Sequence, residues 1–270
     1  MIMLLPEQAE ALRQLQDVGR ELGVDVVVVG AIGLRTWLRD EHRMTADLDV
    51  AIALDLDDFE PVTARLAALD WHRDPRWEPR WHASLGARVD LLPVGARARR
   101  EKQIVWPRAE TRMRVVGFDY VFRDAVTCEL APGLSARVAP LAVLVLLKIV
   151  SYLDDPHARQ KDLGDLLTIL RAYEEDGARR FSDDVLDAGV QYDEAGAFLL
   201  GHDLKALCPK ATDERDVVQQ FVRHVGDPEF HVPVSLVRVV GPNDDDVERP
   251  FVREVAAFAR GFGADRNSSQ

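Results

Sequence analysis

Two aspartates lie two residues apart at the start of an apolar segment. Asp47 and Asp49 flank Leu48 and are followed by the apolar residues 50–54. Side chains two residues apart on a β-strand lie on the same face, separated by two strand rises of roughly 3.3 Å each. Two like charges so placed need a cation, and carboxylate oxygens are ligands that Mg²⁺ prefers. The pair therefore predicts a divalent-cation site, with an exposed strand end capped by acids as the alternative.

A glycine turn and a third acid extend this pattern. Gly30 follows the apolar segment 24–29, which predicts a short buried strand, and it precedes a short helical segment. A strand that enters a helix through glycine leaves backbone N–H groups free to bind a phosphate. Asp90 precedes an apolar pair in another predicted strand and can approach the same point. Three acids beside this turn predict a site for two divalent cations that carry a nucleoside triphosphate, and Asp90 could accept a proton from an attacking hydroxyl.

A second polar cluster is expected in the helical half of the chain. Lys148 lies within an apolar helical segment, and a buried lysine needs an anionic partner. Asp162 and Asp165 share one face of the next predicted helix, and Arg159 precedes Asp162 by three residues. Two interpretations are open: an ion-pair network that fixes two helices together, or a site in which Lys148 contacts the triphosphate and the aspartates orient it.

The charge distribution limits contacts with nucleic acids to local surfaces. The chain has 46 acidic and 34 basic residues and a net charge of -12, which opposes nonspecific binding to nucleic acid. The segment 97–114 is an exception, with seven basic residues and two acidic ones. It predicts either a groove for phosphates or a solvated charged face. Trp71, Trp77 and Trp81 lie among other arginines and predict packing under a loop or stacking of a base.

The remaining segments predict the elements that position these residues. An amphipathic helix is predicted over 6–22 and another over 57–70, with Asp57 as its N-cap. Strands are predicted over 24–29, 47–54, 81–86, 87–94, 113–122 and 126–130, and helices over 141–153, 157–177, 180–190, 195–207, 212–225 and 250–260. This order predicts an α+β amino-terminal domain over 1–139 and a helical carboxy-terminal domain over 140–270.

Compartment can be predicted from cysteine use and from apolar segments. The two cysteines cannot form a disulfide framework, and no apolar run reaches the roughly 20 residues that span a bilayer. The first ten residues lack the basic region and the long apolar core of a signal peptide. We therefore expect a cytoplasmic protein that does not contact a membrane.

The order of these residues resembles the nucleotidyltransferase superfamily of the DNA polymerase β type, in particular its AbiEii/AbiGii toxin-like branch, which includes the MenT toxins. The similarity covers roughly residues 24–170. It rests on the glycine turn, the DxD with an arginine and a hydroxyl residue before it, a third acid, and a lysine followed by a basic and acidic motif: Gly30, Arg43, Thr45, Asp47, Asp49, Asp90, Lys148, Arg159, Lys161, Asp162 and Asp165. Two positions depart from the family pattern. Ala31 stands where glycine or serine is usual, and Lys161 stands where arginine is common.

The resemblance implies a fold, a reaction and roles for these residues. The fold would be a mixed sheet with flanking helices, and the reaction would move a nucleoside monophosphate from a triphosphate such as ATP to a hydroxyl of RNA, tRNA or a protein, releasing pyrophosphate. Mg²⁺, expected as two ions, would be the cofactor, and a cognate antitoxin would be a further partner. The implied metal ligands are Asp47, Asp49 and Asp90; these with Lys148 are the implied catalytic residues, and the nucleotide would contact Gly30, Ala31, Arg43, Thr45, Lys148, Asp162 and Asp165.

Two other functions stay open at this point. The substituted turn at Ala31 lacks a side-chain hydroxyl that could hold a phosphate, which is compatible with a non-catalytic nucleotide-binding or antitoxin-like module. A hydrolase that uses the same three acids would release a monophosphate from water without an acceptor. Pyrophosphate release in the presence of Mg²⁺ separates these possibilities.

Overall fold

A computed structural model describes residues 4–38, 45–175, 177–231 and 248–263 of the chain. It divides the chain into two units, residues 1–144 and 145–270. The domain boundary at residue 140 stays a prediction, because a division by packing does not show that either half folds by itself.

A seven-stranded mixed sheet forms the centre of the first unit. Its elements are α1 (Pro6–Leu22), β1 (Val26–Val28), α2 (Gly30–Leu38), β2 (Asp47–Ile52), α3 (Glu60–Ala68), β3 (His72–Arg73), β4 (Arg80–His82), β5 (Arg88–Pro93), α4 (Ala96–Glu101), β6 (Gln103–Val105), β7 (Arg112–Arg114), α5 (Phe118–Asp124), β8 (Val126–Ala131) and β9 (Leu134–Val138), with α6 (Leu141–Asp154) beginning at its end. The strand order is β3-β4-β5-β2-β1-β9-β8, and β6 and β7 form a separate hairpin. β1 pairs antiparallel with β2, whereas β5 pairs parallel with β2.

The core of this unit explains why apolar and acidic side chains alternate at the start of β2. Leu48 and Val50 are fully buried, whereas Asp47 and Asp49 on the other face are half-buried. The apolar face belongs to a core that includes Leu12 of α1. Complete burial of such an aliphatic side chain contributes about 1.5–3 kcal/mol, so the strand cannot shift by one residue without exposing its apolar face.

Within its described residues, the regular elements of the second unit are all helices. It contains the end of α6, then α7 (Gln160–Ala172), α8 (Asp183–Asp187), α9 (Ala195–Leu207), α10 (Asp213–Val225) and α11 (Glu248–Phe262). α9 and α11 approach each other through two glycines. A Cβ atom on Gly201 would lie 2.1 Å from the Phe258 carbonyl oxygen, and one on Gly261 would lie 2.0 Å from the Phe198 carbonyl oxygen. Backbone contact at this crossing therefore requires glycine on both helices.

The α+β fold class and its mixed sheet with packed helices are confirmed, but several elements differ from the sequence prediction. The segment 113–122 is not one strand: β7 ends at Arg114 and α5 begins at Phe118. Phe118, Val121 and Phe122 have the i, i+3, i+4 spacing of a helix face, which short apolar segments share with strands. β9 and α4 are further elements that the sequence prediction lacked.

The start of α3 is also corrected. Asp57 lies in a 3₁₀ turn, Leu56–Asp58, and α3 begins at Glu60 with Phe59 in the N-cap position. Pro61 in the first turn fits this later start, because proline is tolerated where a helix has no partner for the N–H. Among the described residues, no helix is both long and apolar enough to cross a membrane.

Candidate active site

The predicted acids come together where three neighbouring strands meet at one edge of the sheet. β2 and β5 are parallel, and their register places Asp49 opposite Asp90 and Asp47 opposite Arg88. β1 runs antiparallel to β2, so its carboxyl end and the following Gly30 lie at the edge where β2 begins. The strand order thus brings the glycine turn beside the amino ends of the two acid-bearing strands.

Gly30 is in direct contact with Asp49. Its φ of +63° lies in the left-handed region, and a Cβ atom at this position would lie 2.0 Å from Asp49 Oδ2 and 2.6 Å from Asp49 Cγ. The Val29 N–H donates to the Asp49 carbonyl oxygen at 3.0 Å, which fixes the turn to β2. The turn therefore requires glycine for two reasons: its backbone angle and the carboxylate packed against it.

The other residues of the predicted turn have structural contacts. Ala31 is buried in the first turn of α2. The Thr45 hydroxyl accepts a hydrogen bond from the Asp47 N–H at 3.2 Å, and the Thr45 carbonyl oxygen accepts one from Gln8 Nε2 at 3.2 Å. Thr45 thus fixes the backbone at the start of β2. Arg43 lies outside the residues that the structure describes.

Two arginines that the sequence prediction did not assign to the site bind its carboxylates. Arg80 donates from Nε to Asp90 Oδ1 at 2.8 Å and from Nη2 to Asp90 Oδ2 at 3.0 Å. The same Nη2 lies 3.3 Å from Asp47 Oδ2, and Arg88 Nε lies 2.8 Å from Asp47 Oδ1. The hydrogen bond to Asp90 raises the pKa of Arg80 above its usual value, so this guanidinium stays charged. The sequence feature that could have indicated Arg80 as a site residue is its position in a short segment that alternates polar and apolar residues.

The carboxylate oxygens at this edge of the sheet are of the chemical type that binds magnesium. Mg²⁺ is commonly held by one or two carboxylates together with substrate phosphates, and Asp47 and Asp49 provide two carboxylates on one face of β2. Within the described ranges, however, no group of three or more carboxylate, imidazole or thiolate side chains is arranged to hold a metal ion. One physical reason is that both oxygens of Asp90 accept hydrogen bonds from Arg80. Asp47 forms ion pairs with Arg80 and Arg88, although its buried Oδ1 has no hydrogen-bond partner among the described residues.

The second predicted cluster forms a buried ion-pair network in the helical unit. Lys148 Nζ lies 2.9 Å from Asp162 Oδ1 and 2.6 Å from Asp165 Oδ2, and Arg159 Nε lies 2.9 Å from Asp162 Oδ2. Burial opposes the charge on Lys148, but the two carboxylates outweigh it, and the pKa of Lys148 lies above its usual value. The geometry favours the interpretation in which this network joins α6 to α7. A role for Lys148, Asp162 and Asp165 in nucleotide binding stays a prediction.

The basic segment 97–114 is largely paired with carboxylates. It contains α4 and the β6–β7 hairpin. Several of its cations contact acids, among them the pairs Arg97–Asp57 at 2.8 Å, Arg99–Asp119 at 3.0 Å, Lys102–Asp119 at 3.2 Å and Arg108–Glu78 at 3.6 Å. These contacts favour a solvated, ion-paired face over an open groove for phosphates. Among the three tryptophans considered above, Trp71 and Trp81 are in the core and Trp77 is exposed.

The chain is similar to the proteins of one described family. The sequence model of a family described as "Nucleotidyl transferase AbiEii toxin, Type IV TA system" matches residues 13–231, which is more than half of the chain. The solution structure of the antibiotic-resistance factor ANT(2'')-Ia is similar with a TM-score of 0.37 and 10% sequence identity, over 56% of this chain and 75% of that chain. No curated protein matches the chain. The structural similarity is too low to carry an argument, so the assignment rests on the family match.

Proposed function

The chain belongs to the nucleotidyl transferase AbiEii toxin family, and from this premise we propose that it moves a nucleoside monophosphate from a nucleoside triphosphate to a hydroxyl acceptor and releases pyrophosphate. The observation that best supports this reaction is the contact between the Gly30 turn and Asp49, beside Asp90 on the neighbouring strand. A turn that can receive phosphates and two carboxylates that can hold a metal meet at one edge of the sheet.

The proposed reaction forms one bond and breaks one. The acceptor oxygen attacks the α-phosphorus, the bond between that phosphorus and the oxygen bridging to the β-phosphorus breaks, and pyrophosphate leaves. Asp90 accepts the proton of the acceptor hydroxyl. Both Asp90 oxygens accept hydrogen bonds from Arg80 in the structure, so protonation of Asp90 requires that at least one of these bonds weakens.

Mg²⁺ is the proposed cofactor, with Asp47 and Asp49 as its ligands and Asp90 completing the site. When bound, magnesium would neutralise the phosphates and stabilise charge on the attacking and leaving oxygens. The role of the protein's own residues is to position the triphosphate. The missing Cβ of Gly30 makes room for the Asp49 carboxylate, the backbone N–H groups at the start of α2 would receive a phosphate, and Thr45 holds the start of β2 in position.

RNA is the proposed acceptor, and a cognate antitoxin is the proposed protein partner. Exposed Trp77 lies in the turn before β4, and the Arg80 N–H donates to its carbonyl oxygen at 3.0 Å. An exposed aromatic ring so close to the carboxylate-bearing strands can stack a base. A protein hydroxyl is the competing acceptor, and labelled product in a protein fraction but not in RNA would replace RNA with that class.

Pyrophosphate release tests this proposal. The purified chain is incubated with Mg²⁺ and each of the four nucleoside triphosphates, ATP first, with and without total tRNA. Release that depends on tRNA and falls by at least about a hundredfold in Asp49→Asn supports the transferase. Asp25→Asn is the matched control, because Asp25 pairs with Arg137 at 2.8 Å and should leave the rate unchanged.

Two outcomes of the same assay would contradict the proposal. Nucleotide binding without pyrophosphate release in every mixture would favour a non-catalytic nucleotide-binding or antitoxin-like module. Release of a nucleoside monophosphate in the absence of any acceptor would favour a hydrolase.

A further inference from the structure

The two arginines at the candidate site are built into the sheet. Arg80 lies directly opposite Asp90 in the register of β4 and β5, and Arg88 lies directly opposite Asp47 in the register of β5 and β2. The Leu91 N–H donates to the Pro79 carbonyl oxygen at 2.8 Å, so the chain just before Arg80 is also tied to β5. Strand register therefore fixes each guanidinium beside its carboxylate.

The turn that precedes Arg80 is itself ordered by Asp74. The Asp74 carboxylate accepts hydrogen bonds from the backbone N–H groups of Arg76 and Trp77 at 2.8 and 3.0 Å, and it lies 3.0 Å from His82 Nε2. The hydrogen bond from His82 lowers the pKa of Asp74 to about 2. This turn restricts the positions that the backbone of Arg80 can adopt.

The pairing has a direct consequence for metal binding. Asp90 accepts two hydrogen bonds from Arg80. Asp47 forms ion pairs by distance, with Oδ2 3.3 Å from Arg80 Nη2 and Oδ1 2.8 Å from Arg88 Nε, but its buried Oδ1 has no hydrogen-bond partner among the described residues. Asp47 and Asp90 together with the two guanidiniums carry no net charge, and Asp49, the third acid of the site, is not part of this balance. A divalent cation that arrives alone must displace the charge-assisted hydrogen bonds on Asp90 and compete with the two guanidinium charges beside Asp47 before it can use these oxygens.

We propose that Arg80 and Arg88 are resident counter-cations of the site, which keep its affinity for a free divalent ion low so that the metal binds together with the nucleotide. This inference rests on the proposed function and adds two positioning residues to it. The negatively charged triphosphate offers the displaced guanidiniums a new partner, since arginine binds phosphates as well as carboxylates. Metal and nucleotide would therefore bind cooperatively, each increasing the affinity of the other.

Binding of Mn²⁺ in the absence of nucleotide tests this proposal. Titration of the full chain with Mn²⁺, followed by the loss of the electron paramagnetic resonance signal of the free ion, gives a dissociation constant without any catalytic turnover. We expect Arg80→Gln and Arg88→Gln each to tighten Mn²⁺ binding by about tenfold, because each removes a guanidinium charge that competes with the metal ion for a carboxylate. Arg80→Lys keeps the charge and should stay close to the wild-type affinity.

A matched control removes the same charge elsewhere on the sheet. Arg73 on β3 donates to Thr63 Oγ1 at 2.8 Å, and its guanidinium lies 4.9 Å from the centre of the Trp81 ring. Arg73→Gln should leave Mn²⁺ affinity unchanged. If Arg80→Gln does not fold, Arg88→Gln decides the question, because Arg88 is the more exposed of the two, with 44% of its side chain accessible against 23% for Arg80.

The outcomes separate this inference from the proposed function. Unchanged or weaker Mn²⁺ binding in Arg88→Gln, or equal tightening in Arg73→Gln, would overturn the counter-cation role even if pyrophosphate is released. Tighter binding in the two site variants supports the role even if no acceptor yields pyrophosphate. A merely structural role for the arginines predicts weaker binding in every site variant, which is the opposite sign.

Discussion

Replacement of Gly30 by alanine isolates the contact on which the candidate site depends. Alanine at φ +63° has a backbone cost of about 1–2 kcal/mol. Its Cβ would also lie 2.0 Å from Asp49 Oδ2, where ordinary contact begins at 3.4 Å. Asp49 must therefore move its carboxylate by more than about 1 Å, at a further cost of about 1–3 kcal/mol.

Gly23 supplies the matched control for this experiment. Its φ is +66°, and a Cβ atom there would meet nothing within 4 Å. Gly23→Ala therefore carries the same backbone cost and the same change in the unfolded chain, without the contact. In urea unfolding we expect Gly30→Ala to lose about 1–3 kcal/mol more than Gly23→Ala.

A double-mutant cycle with Asp49→Ala shows whether the Asp49 carboxylate causes the larger loss of unfolding free energy in Gly30→Ala. Asp49→Ala removes the two atoms nearest to a Cβ on Gly30 and leaves the third nearest, Asp49 Cβ, at 2.8 Å. The cost of Gly30→Ala should fall in the Asp49→Ala background, whereas Gly23→Ala should be additive with it. Pyrophosphate release by Gly30→Ala should fall by about a hundredfold, since displacement of a catalytic group by 1 Å has that order of effect. Equal costs for the two glycine variants, within about 0.5 kcal/mol, would refute the proposed contact.

Three further predictions concern the helical unit and can be measured by urea unfolding. Lys148→Met should destabilise the protein by about 3–5 kcal/mol, because Asp162 and Asp165 would be left buried without their shared cation. Lys161→Met, on the exposed face of α7, is the control and should have almost no effect on stability. A small loss of stability in both variants would show that the network is not structural. Burial raises the pKa of Glu254 to about 7 from 4.5, so the folded state holds a proton that the unfolded state releases, and stability should fall as pH rises between these values, by about 3 kcal/mol. Glu254→Gln should remove that pH dependence, and an unchanged profile would exclude Glu254 as its source. Gly201→Ala should destabilise by about 3 kcal/mol because its Cβ would meet the Phe258 backbone at 2.1 Å, and Gly226→Ala, with a nearest atom at 3.1 Å, should lose much less.

The elements that could be predicted from the sequence are those with a strong local pattern. α1 was predicted with its observed bounds, because its apolar residues repeat at helical spacing between Pro6 and a closing glycine. β2 was predicted over 47–54 because an apolar run begins at the two aspartates, and it is observed over Asp47–Ile52. The segment 113–122 failed for the opposite reason: its apolar residues fit either a strand or a helix, and tertiary packing decided between them.

The proximity of the three acids could be suggested from the sequence, whereas the positions of Arg80 and Arg88 beside them could not. Asp47 and Asp49 share a face through local strand geometry alone. The position of Asp90 opposite Asp49 depends on parallel pairing of β2 and β5 across a long connection, and that of Arg80 depends on the register of β4. Register between distant segments is set by packing of the whole sheet, so the sequence could suggest that the acids approach each other but could not place Arg80 between Asp47 and Asp90.

Anomalous diffraction from crystals grown with Mn²⁺ and a nonhydrolysable nucleoside triphosphate tests the central claim most directly. We predict manganese peaks within coordination distance of Asp47 and Asp49, with the triphosphate at the Gly30 turn and Arg80 rotated away from Asp47. Manganese and nucleotide bound together at another part of the chain, with Arg80 still on Asp90 and Asp47, would contradict the account.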